Sequence, residues 1–397
     1  MEPVEITSYG HGGVGVCRVD GKVHFVEGAL PGDRVTFEIL REKKSWARAS
    51  VVEVVEGGPH RREAPCPHAS SCGGCDLQSA LETSQHEWKR QIVAEQLARL
   101  GGVEIDVDEV VAASPPFGDR NRMDYSVVDG RPALHRRSSN DLVGLSTCLL
   151  LVQPLGDLFH RLGDLTGVDG ITLRAGVNTG ELLAVIDGDV PDHADEWDVA
   201  VCTVDRGRVV PILGRPHVHE EVAGVRFRIT GTAFFQNSTP GAETLVSLVR
   251  AGTGGRSGVF VDLYAGGGLF ALTSAGSFDR VVAVESASQT AGDLVHNAEL
   301  NRPDVEVVHG RVEDVQLVPG EEVTVVVDPP RAGLGHEGVT TVLSANPDRI
   351  VYVSCEPGSL GRDVGLLGES GFGPTRVTPV DLFPQTHHIE SVVVLDR

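Results

Sequence analysis

The strongest constraint on what this chain can fold into lies in its last third, where short apolar runs recur between helical stretches. VFVDLY, RVVAVES, VEVVHG, EVTVVVD and RIVYVS begin at Val259, Arg280, Val305, Glu322 and Arg349 and are dominated by valine. Strands apolar on both faces must be covered on both faces, and intervening segments such as AGDLVHNAELN supply helices to do so. The expected result is a mostly parallel, Rossmann-like α/β sheet from about residue 233 to the end. SVVVLD, following VTPVDLFPQ, is expected to add an antiparallel edge pair.

The first 57 residues read differently. VEITSYG, GVGVCRV, KVHFVEG, RVTFEIL and WARASVVEVV are short β-rich runs separated by HGG, DG, PGD and REKKS. Such a string predicts a small antiparallel β-barrel, OB-like in class, whose closure removes exposed strand edges. Arg41, Lys43, Lys44, Trp46 and Arg48 would give it either an RNA-facing side or an ordinary solvated hairpin tip. A Pro/His/Arg/Cys stretch follows, then a helix through Trp88, Ile92, Leu97 and Leu100 that Gly101-Gly102 should end. The chain thus divides into a barrel (1–57), a cysteine-rich segment with a helix (58–100), a central α+β domain (101–232) and the α/β domain (233–397).

With 397 residues and 41% apolar content, the chain can bury several cores. No apolar run reaches membrane-spanning length and MEPVEITSYG is no signal peptide, so a cytoplasmic, membrane-free protein is expected. A net charge of -22 counts mildly against a nucleic-acid partner, although phosphate binding depends on local potential rather than on the sum.

In VFVDLYAGGGLFAL a strand runs into Gly266-Gly267-Gly268 and then a helix, a turn in which backbone can approach a ligand closely. Glu285 ends the second strand, where a carboxylate can accept both hydroxyls of a ribose, and Asp328 opens DPPR after the fourth. There is no G-x-G-x-x-G register and no P-loop lysine, so S-adenosylmethionine fits better than a dinucleotide or purely structural glycines. Cys355, in VYVSCEPGSLGRD, sits where a strand runs out onto the same rim, and Glu390 lies in QTHHIES just before the last strand. His387 and His388 adjoin it, in either a local hydrogen-bonding or an RNA-orienting role. Cys17 and Cys202 lie in strand-like runs and read as core.

Taken in order, GHGGVGVCRVDGKVHFVEGALPGDRV, AFFQNSTPGAETL, DLYAGGGLF, VDPPRAGL, YVSCEPGSLGRD and DLFPQTHHIESVV resemble the RNA uridine-5-methyltransferases, nearly end to end. The resemblance is to the iron-sulfur branch that modifies bacterial 23S ribosomal RNA, whose barrel is a TRAM domain. It implies methyl transfer from S-adenosylmethionine to carbon 5 of a uridine in 23S rRNA, by a monomer. Cys355 would be the nucleophile, Glu390 the base and Asp328 a pocket carboxylate near uracil and cofactor, with Gln236, Tyr264, Gly266, Gly268 and Glu285 at the cofactor. Arg331 is a candidate donor to the uracil oxygen. Two departures stand out: Glu356 where Asn is common, and Leu269 in place of a frequent Asn. A carboxylate beside Cys355 is expected to raise its pKa.

Cys66, Cys72 and Cys75, with Cys148 far downstream, form C-x5-C-x2-C plus a fourth thiol. That spacing suits zinc and iron-sulfur equally. The family resemblance implies a 4Fe-4S cluster of structural role, tying the segment after the barrel to the central domain and shaping an RNA groove with Arg120, Arg122, Arg131, Arg136 and Arg137. Rival readings are the same reaction on the T-loop uridine of tRNA, a non-catalytic iron-sulfur RNA-binding or redox protein, and N- or O-methylation by DPPR alone.

Overall fold

The computed structural model describes residues 2–317 and 321–397. Strands β1 (Val4–Glu5), β2 (Ser8–Gly10), β3 (Val14–Val19), β4 (Lys22–Glu27), β5 (Arg34–Glu42) and β6 (Trp46–Glu56) form one sheet in the order β1-β5-β6-β4-β3-β2. The two outer strands, β1 and β2, are separated in the chain by only Ile6 and Thr7, so the sheet has to curl until its ends meet. Thr7 N–H donates to Val16 O at 2.8 Å and Ile6 N–H to Asp33 O at 2.9 Å at that seam. The barrel expected from the sequence is therefore present, with one departure: β4 and β6 run parallel. Cys17, Val26, Val35 and Ala49 are fully buried inside it.

The predicted helix is α1 (Glu82–Gly101), ended by Gly102 in the left-handed conformation with φ 64°. It packs on a helix of the C-terminal sheet, α7 (Pro357–Gly368), across a glycine seam. A Cβ on Gly361 would stand 2.4 Å from Gln96 O, so no larger residue permits this approach.

The middle of the chain holds α2 (Gln153–Arg161) and strands β7 (Arg122–Val128), β8 (Arg131–His135), β9 (Leu142–Gly144), β10 (Val168–Gly176), β11 (Glu181–Gly188), β12 (Ala200–Asp205) and β13 (Arg208–Leu213). Their order is β13-β12-β11-β10-β7-β8-β9, with α2 and Trp197 packed on one face. The hairpin β14 (His217–Val222) and β15 (Val225–Thr230) joins the other face to the C-terminal core, together with buried Cys202.

The C-terminal sheet contains β16 (Val259–Leu263), β17 (Arg280–Glu285), β18 (Glu306–His309), β19 (Val323–Val327), β20 (Arg349–Ser354), β21 (Gly373–Val380) and β22 (Glu390–Asp396), in the order β18-β17-β16-β19-β20-β22-β21. The first five are parallel, as the apolar runs require. Successive residues feed opposite cores: Phe260 packs with α3 (Thr239–Thr253), α4 (Leu269–Thr273) and α5 (Ser288–Asn301), Val261 with α1, α6 (Gly335–Ser344) and α7. The expected antiparallel edge pair is β22 with β21, the later strand β22 being inserted antiparallel between β20 and the edge strand β21. No helix among the described residues is long and apolar enough to cross a membrane.

Candidate functional site

The functional side chains gather where the parallel strands end. Tyr264 follows β16 with φ 63°, a left-handed conformation that a bulky residue adopts at a cost. Glu285 closes β17; its Oε2 accepts the Gly266 N–H at 2.9 Å and its Oε1 the Ala287 N–H at 2.6 Å, which locks the glycine turn to the second strand. Asp328 is the first residue past β19, and Cys355 the first past β20. In the antiparallel pairing Ser354 faces Ser391, so the residues beyond them, Cys355 and Glu390, emerge together on the rim. Two loci 35 residues apart in sequence thereby become neighbours.

These residues share one cavity of about 690 Å³, lined by Gln236, Tyr264, Gly266, Glu285, Asp328, Cys355 and Glu390. That size suits a nucleoside-like cofactor together with a flipped base. Gln236 Nε2 donates to Asp328 Oδ2 at 3.4 Å, linking the segment before α3 to the strand rim. Gly268 does not line the cavity: it sits at φ 94° as the N-cap of α4, and a Cβ there would meet Leu294 at 2.8 Å. Packing, not ligand approach, accounts for that glycine. Phe234, Glu313 and Phe383 also line the cavity and were not singled out from the sequence. Phe234 is 57% exposed, and an aromatic displayed beside a polar Gln-Asn pair is the signal that marks it.

Burial dominates the electrostatics. The Cys355 thiol is pushed up to about 12, first by burial and then by the negative charges of Glu390 and Asp328, against which the Arg331 guanidinium works. Asp328 is raised to about 7 by burial. Burial, with the Asp328 charge second, also raises Glu390 well above the usual carboxylate range, and its Oε1 has no hydrogen-bond partner. A carboxyl so raised is a stronger base than an ordinary carboxylate once it has lost its proton. His388 is held down to about 4 by burial and the adjacent His387 and Arg331 charges. It is therefore neutral, and its Nε2 accepts from Arg331 Nη2 at 3.2 Å.

Glu356 does not act as the sequence suggested. Its carboxylate turns away to His11 Nε2, 2.6 Å distant on the barrel, and accepts the Gly358 N–H at the start of α7. The His11 hydrogen bond is the main reason its pKa falls. The groups that raise Cys355 are Glu390 and Asp328 instead.

The arginines expected to form one groove are dispersed. Arg120 lies 4.8 Å over the Phe383 ring, and Arg122 donates to the Thr232 and Ala233 carbonyls just before Gln236. Arg136 and Arg137 border a second cleft, of about 430 Å³, with Arg48 of the barrel; Arg131 lines neither cavity. On the barrel Arg41, Lys43, Lys44 and Arg48 are exposed, but Arg48 is paired with Glu27 at 2.7 Å.

Cys66, Cys72, Cys75 and Cys148 line one small cavity with Leu134 and Leu150, and none forms a disulfide. Burial, reinforced by neighbouring thiols, raises Cys72 and Cys148 and pushes Cys75 up to about 12. Among the described residues no group of three or more His, Cys, Asp or Glu side chains is arranged to hold a metal ion. The four thiols converge without being in ligating arrangement.

Comparison with known proteins gives this geometry a family. The family described as tRNA (Uracil-5-)-methyltransferase matches residues 304–397, from β18 to the C-terminus. A Gloeobacter violaceus protein named an uncharacterized RNA methyltransferase is 34% identical over 99% of this chain and 96% of its own length. A Streptomyces avermitilis protein of the same description is 33% identical, covering 99% and 97%. Among solved structures, Pyrococcus abyssi tRNA (uracil-54, C5)-methyltransferase in complex with S-adenosyl-L-homocysteine superposes with a TM-score of 0.78 at 25% identity, over 100% of both chains. The chain belongs to the S-adenosylmethionine-dependent RNA methyltransferases of the uracil-5-methyltransferase family.

Proposed function

We propose that this enzyme methylates carbon 5 of a specific uridine in 23S rRNA through a covalent intermediate on Cys355. The observation that carries the reading is the convergence of Cys355, Glu390 and Asp328 on the same cavity as Gln236, Tyr264 and Glu285. Carbon 5 of uracil is a poor nucleophile. Attack of the Cys355 thiolate on carbon 6 forms the S–C6 bond and moves the ring π pair into an enolate, with charge on O4 and carbon 5. Arg331 and nearby amides would stabilise that charge. S-adenosylmethionine would supply an electrophilic methyl group to carbon 5, its S–CH3 bond breaking to leave S-adenosylhomocysteine. Glu390 then removes the carbon 5 proton, the S–C6 bond breaks, and the C5=C6 double bond returns.

Gln236, Tyr264, Gly266 and Glu285 would hold the cofactor, Glu285 through its remaining lone pairs on the ribose hydroxyls. The thiol's high resting pKa makes a strong nucleophile that stays protonated until substrate binds; as the base enters, its proton would pass to the Asp328 carboxylate in the same cavity, leaving Glu390 for carbon 5. At the second thiol site, Cys66, Cys72, Cys75 and Cys148 would hold a 4Fe-4S cluster. The donor set of four converging thiols fits one; the small shared cavity, about 20 Å³, and the absence of ligating trios mean the side chains would have to rearrange as it forms. Four thiolates leave no open coordination position, so its contribution is to fix the segment between barrel and central sheet.

The same reaction on the T-loop uridine of tRNA is a second reading, favoured by the likeness to the Pyrococcus abyssi tRNA enzyme. Mass-spectrometric mapping of 5-methyluridine in separated rRNA and tRNA, from cytoplasmic extracts with and without the gene, decides between them. Loss confined to 23S rRNA supports the first reading, and loss confined to tRNA replaces it with the second.

A further inference from the structure

Asp76 follows directly on Cys75 and lies against the opposite end of the chain. Its backbone N–H and that of Leu77 both donate to the Gln385 carbonyl, at 3.1 and 2.9 Å. Its carboxylate answers in the other direction: Oδ1 accepts the His387 backbone N–H at 2.9 Å, and Oδ2 receives the His387 Nδ1–H. The His387 ring lies 4.1 Å from that of His388, which accepts from Arg331. His388 and Arg331 are both in the wall of the reaction cavity beside Cys355. A carboxylate of the cysteine-rich segment is therefore connected, through the two histidine side chains, to the cation that faces the nucleophile.

The turn it supports needs support. Gln385 has φ 65°, a strained conformation for this residue, and is also tied by Gln85 and by Arg62 Nη2 at 3.0 Å. Gly13 of the barrel closes over the joint, and a Cβ there would stand 2.5 Å from Asp76 Oδ2.

We propose that Asp76 is a positioning residue for methyl transfer: by fixing His387 it holds the His388–Arg331 pair against Cys355 and sets the loop that leads into Glu390. This rests on the assignment of Cys355 as nucleophile. Without the carboxylate, His387 Nδ1–H loses its partner and the ring is free to turn, so His388 and Arg331 lose their registration. The backbone bonds from Asp76 and Leu77 to Gln385 do not need the side chain, and the fold is retained.

The test uses the full chain carrying Asp76→Ala, Asp76→Asn, Arg331→Ala and the Asp76→Ala/Arg331→Ala double substitution. Alkylation of Cys355 by iodoacetamide is followed by peptide mass spectrometry against pH, with no RNA present, alongside kcat and KM. Asp76→Ala is expected to lower kcat roughly 10- to 100-fold with KM for S-adenosylmethionine unchanged, the scale of a misplaced group. Alkylation of Cys355 at pH 8 should slow severalfold in Asp76→Ala and less in Asp76→Asn, which keeps one acceptor. The double variant should react no more slowly than Arg331→Ala, because both act through one cation. Wild-type alkylation in Asp76→Ala, or additive slowing in the double variant, overturns the proposal. The alkylation arm needs no RNA, so failure to find a methylated substrate would count against the activity reading and leave this result standing.

Discussion

The molecule contains two thiol sites, and they differ in what surrounds the sulfur. At the four-cysteine cavity each thiol has other thiols beside it, among leucines and the polar side chains His68, Gln78 and Thr147, and no carboxyl lines the cavity. At the rim of the parallel sheet Cys355 has two raised carboxyls and an arginine around it, in a cavity about 690 Å³ in volume. Burial disfavours thiolate in both places; in the first the charges that add to the penalty are those of the other thiols, and in the second they are those of Glu390 and Asp328. Thiols grouped with thiols would suit ligation only after the side chains rearrange, whereas a thiol beside carboxyls suits proton-transfer chemistry in place. This contrast distinguishes the two sites more firmly than cysteine spacing does.

The sharpest way to break the contrast is to remove the Cys355 sulfur. Cys355→Ala should reduce methyl transfer at least ~10³-fold, because no other group on the rim can form the covalent adduct. Titration calorimetry with S-adenosylhomocysteine should find cofactor binding within about twofold of wild type. Retained turnover would assign the chemistry elsewhere. Cys148→Ser should act oppositely, lowering stability by several kcal/mol if the site holds a cluster. Iron and labile sulfide should fall with the melting temperature, and an iron-free protein of unchanged stability would contradict the cluster.

A smaller effect concerns the base. Glu390 has its folded pKa raised, so it favours the protonated form. Its favourable contribution is present below the ordinary carboxylate pKa and is lost as pH rises through the raised value. Glu390→Gln should therefore be more stable than wild type at pH 8, by on the order of 1–3 kcal/mol, and show little gain near pH 4. Urea unfolding at the two pH values checks this, and an equal difference at both would sink it. The smallest effect is expected at Glu356→Asn. The half-exposed His11 pair is worth roughly 0–1 kcal/mol, and Asn still caps α7, so the pH profile of Cys355 alkylation should not move.

How much of this could be read in the sequence depends on whether the signal was local. The valine-rich runs specified strands covered on both faces, and β16 to β20 are parallel as that composition demands. The position of Cys355 just past a strand was legible for the same reason. Insertion of β22 between β20 and β21 was not, because it depends on which edge accepts a late strand, and that insertion brings Glu390 to Cys355. Gly266 and Gly268 look alike in sequence, yet one turns under the cavity and the other caps a helix against Leu294. The His11–Glu356 and Asp76–His387 pairs join residues more than 300 positions apart, and no local pattern encodes them.

The central claim is that Cys355 bonds to the base and Glu390 releases it. Glu390→Gln incubated with S-adenosylmethionine and the rRNA and tRNA fractions should accumulate protein covalently attached to RNA, stable in denaturant, with the adduct mapped to Cys355 and the attached uridine already methylated. Free turnover by that variant, or an adduct on any other residue, would contradict the account.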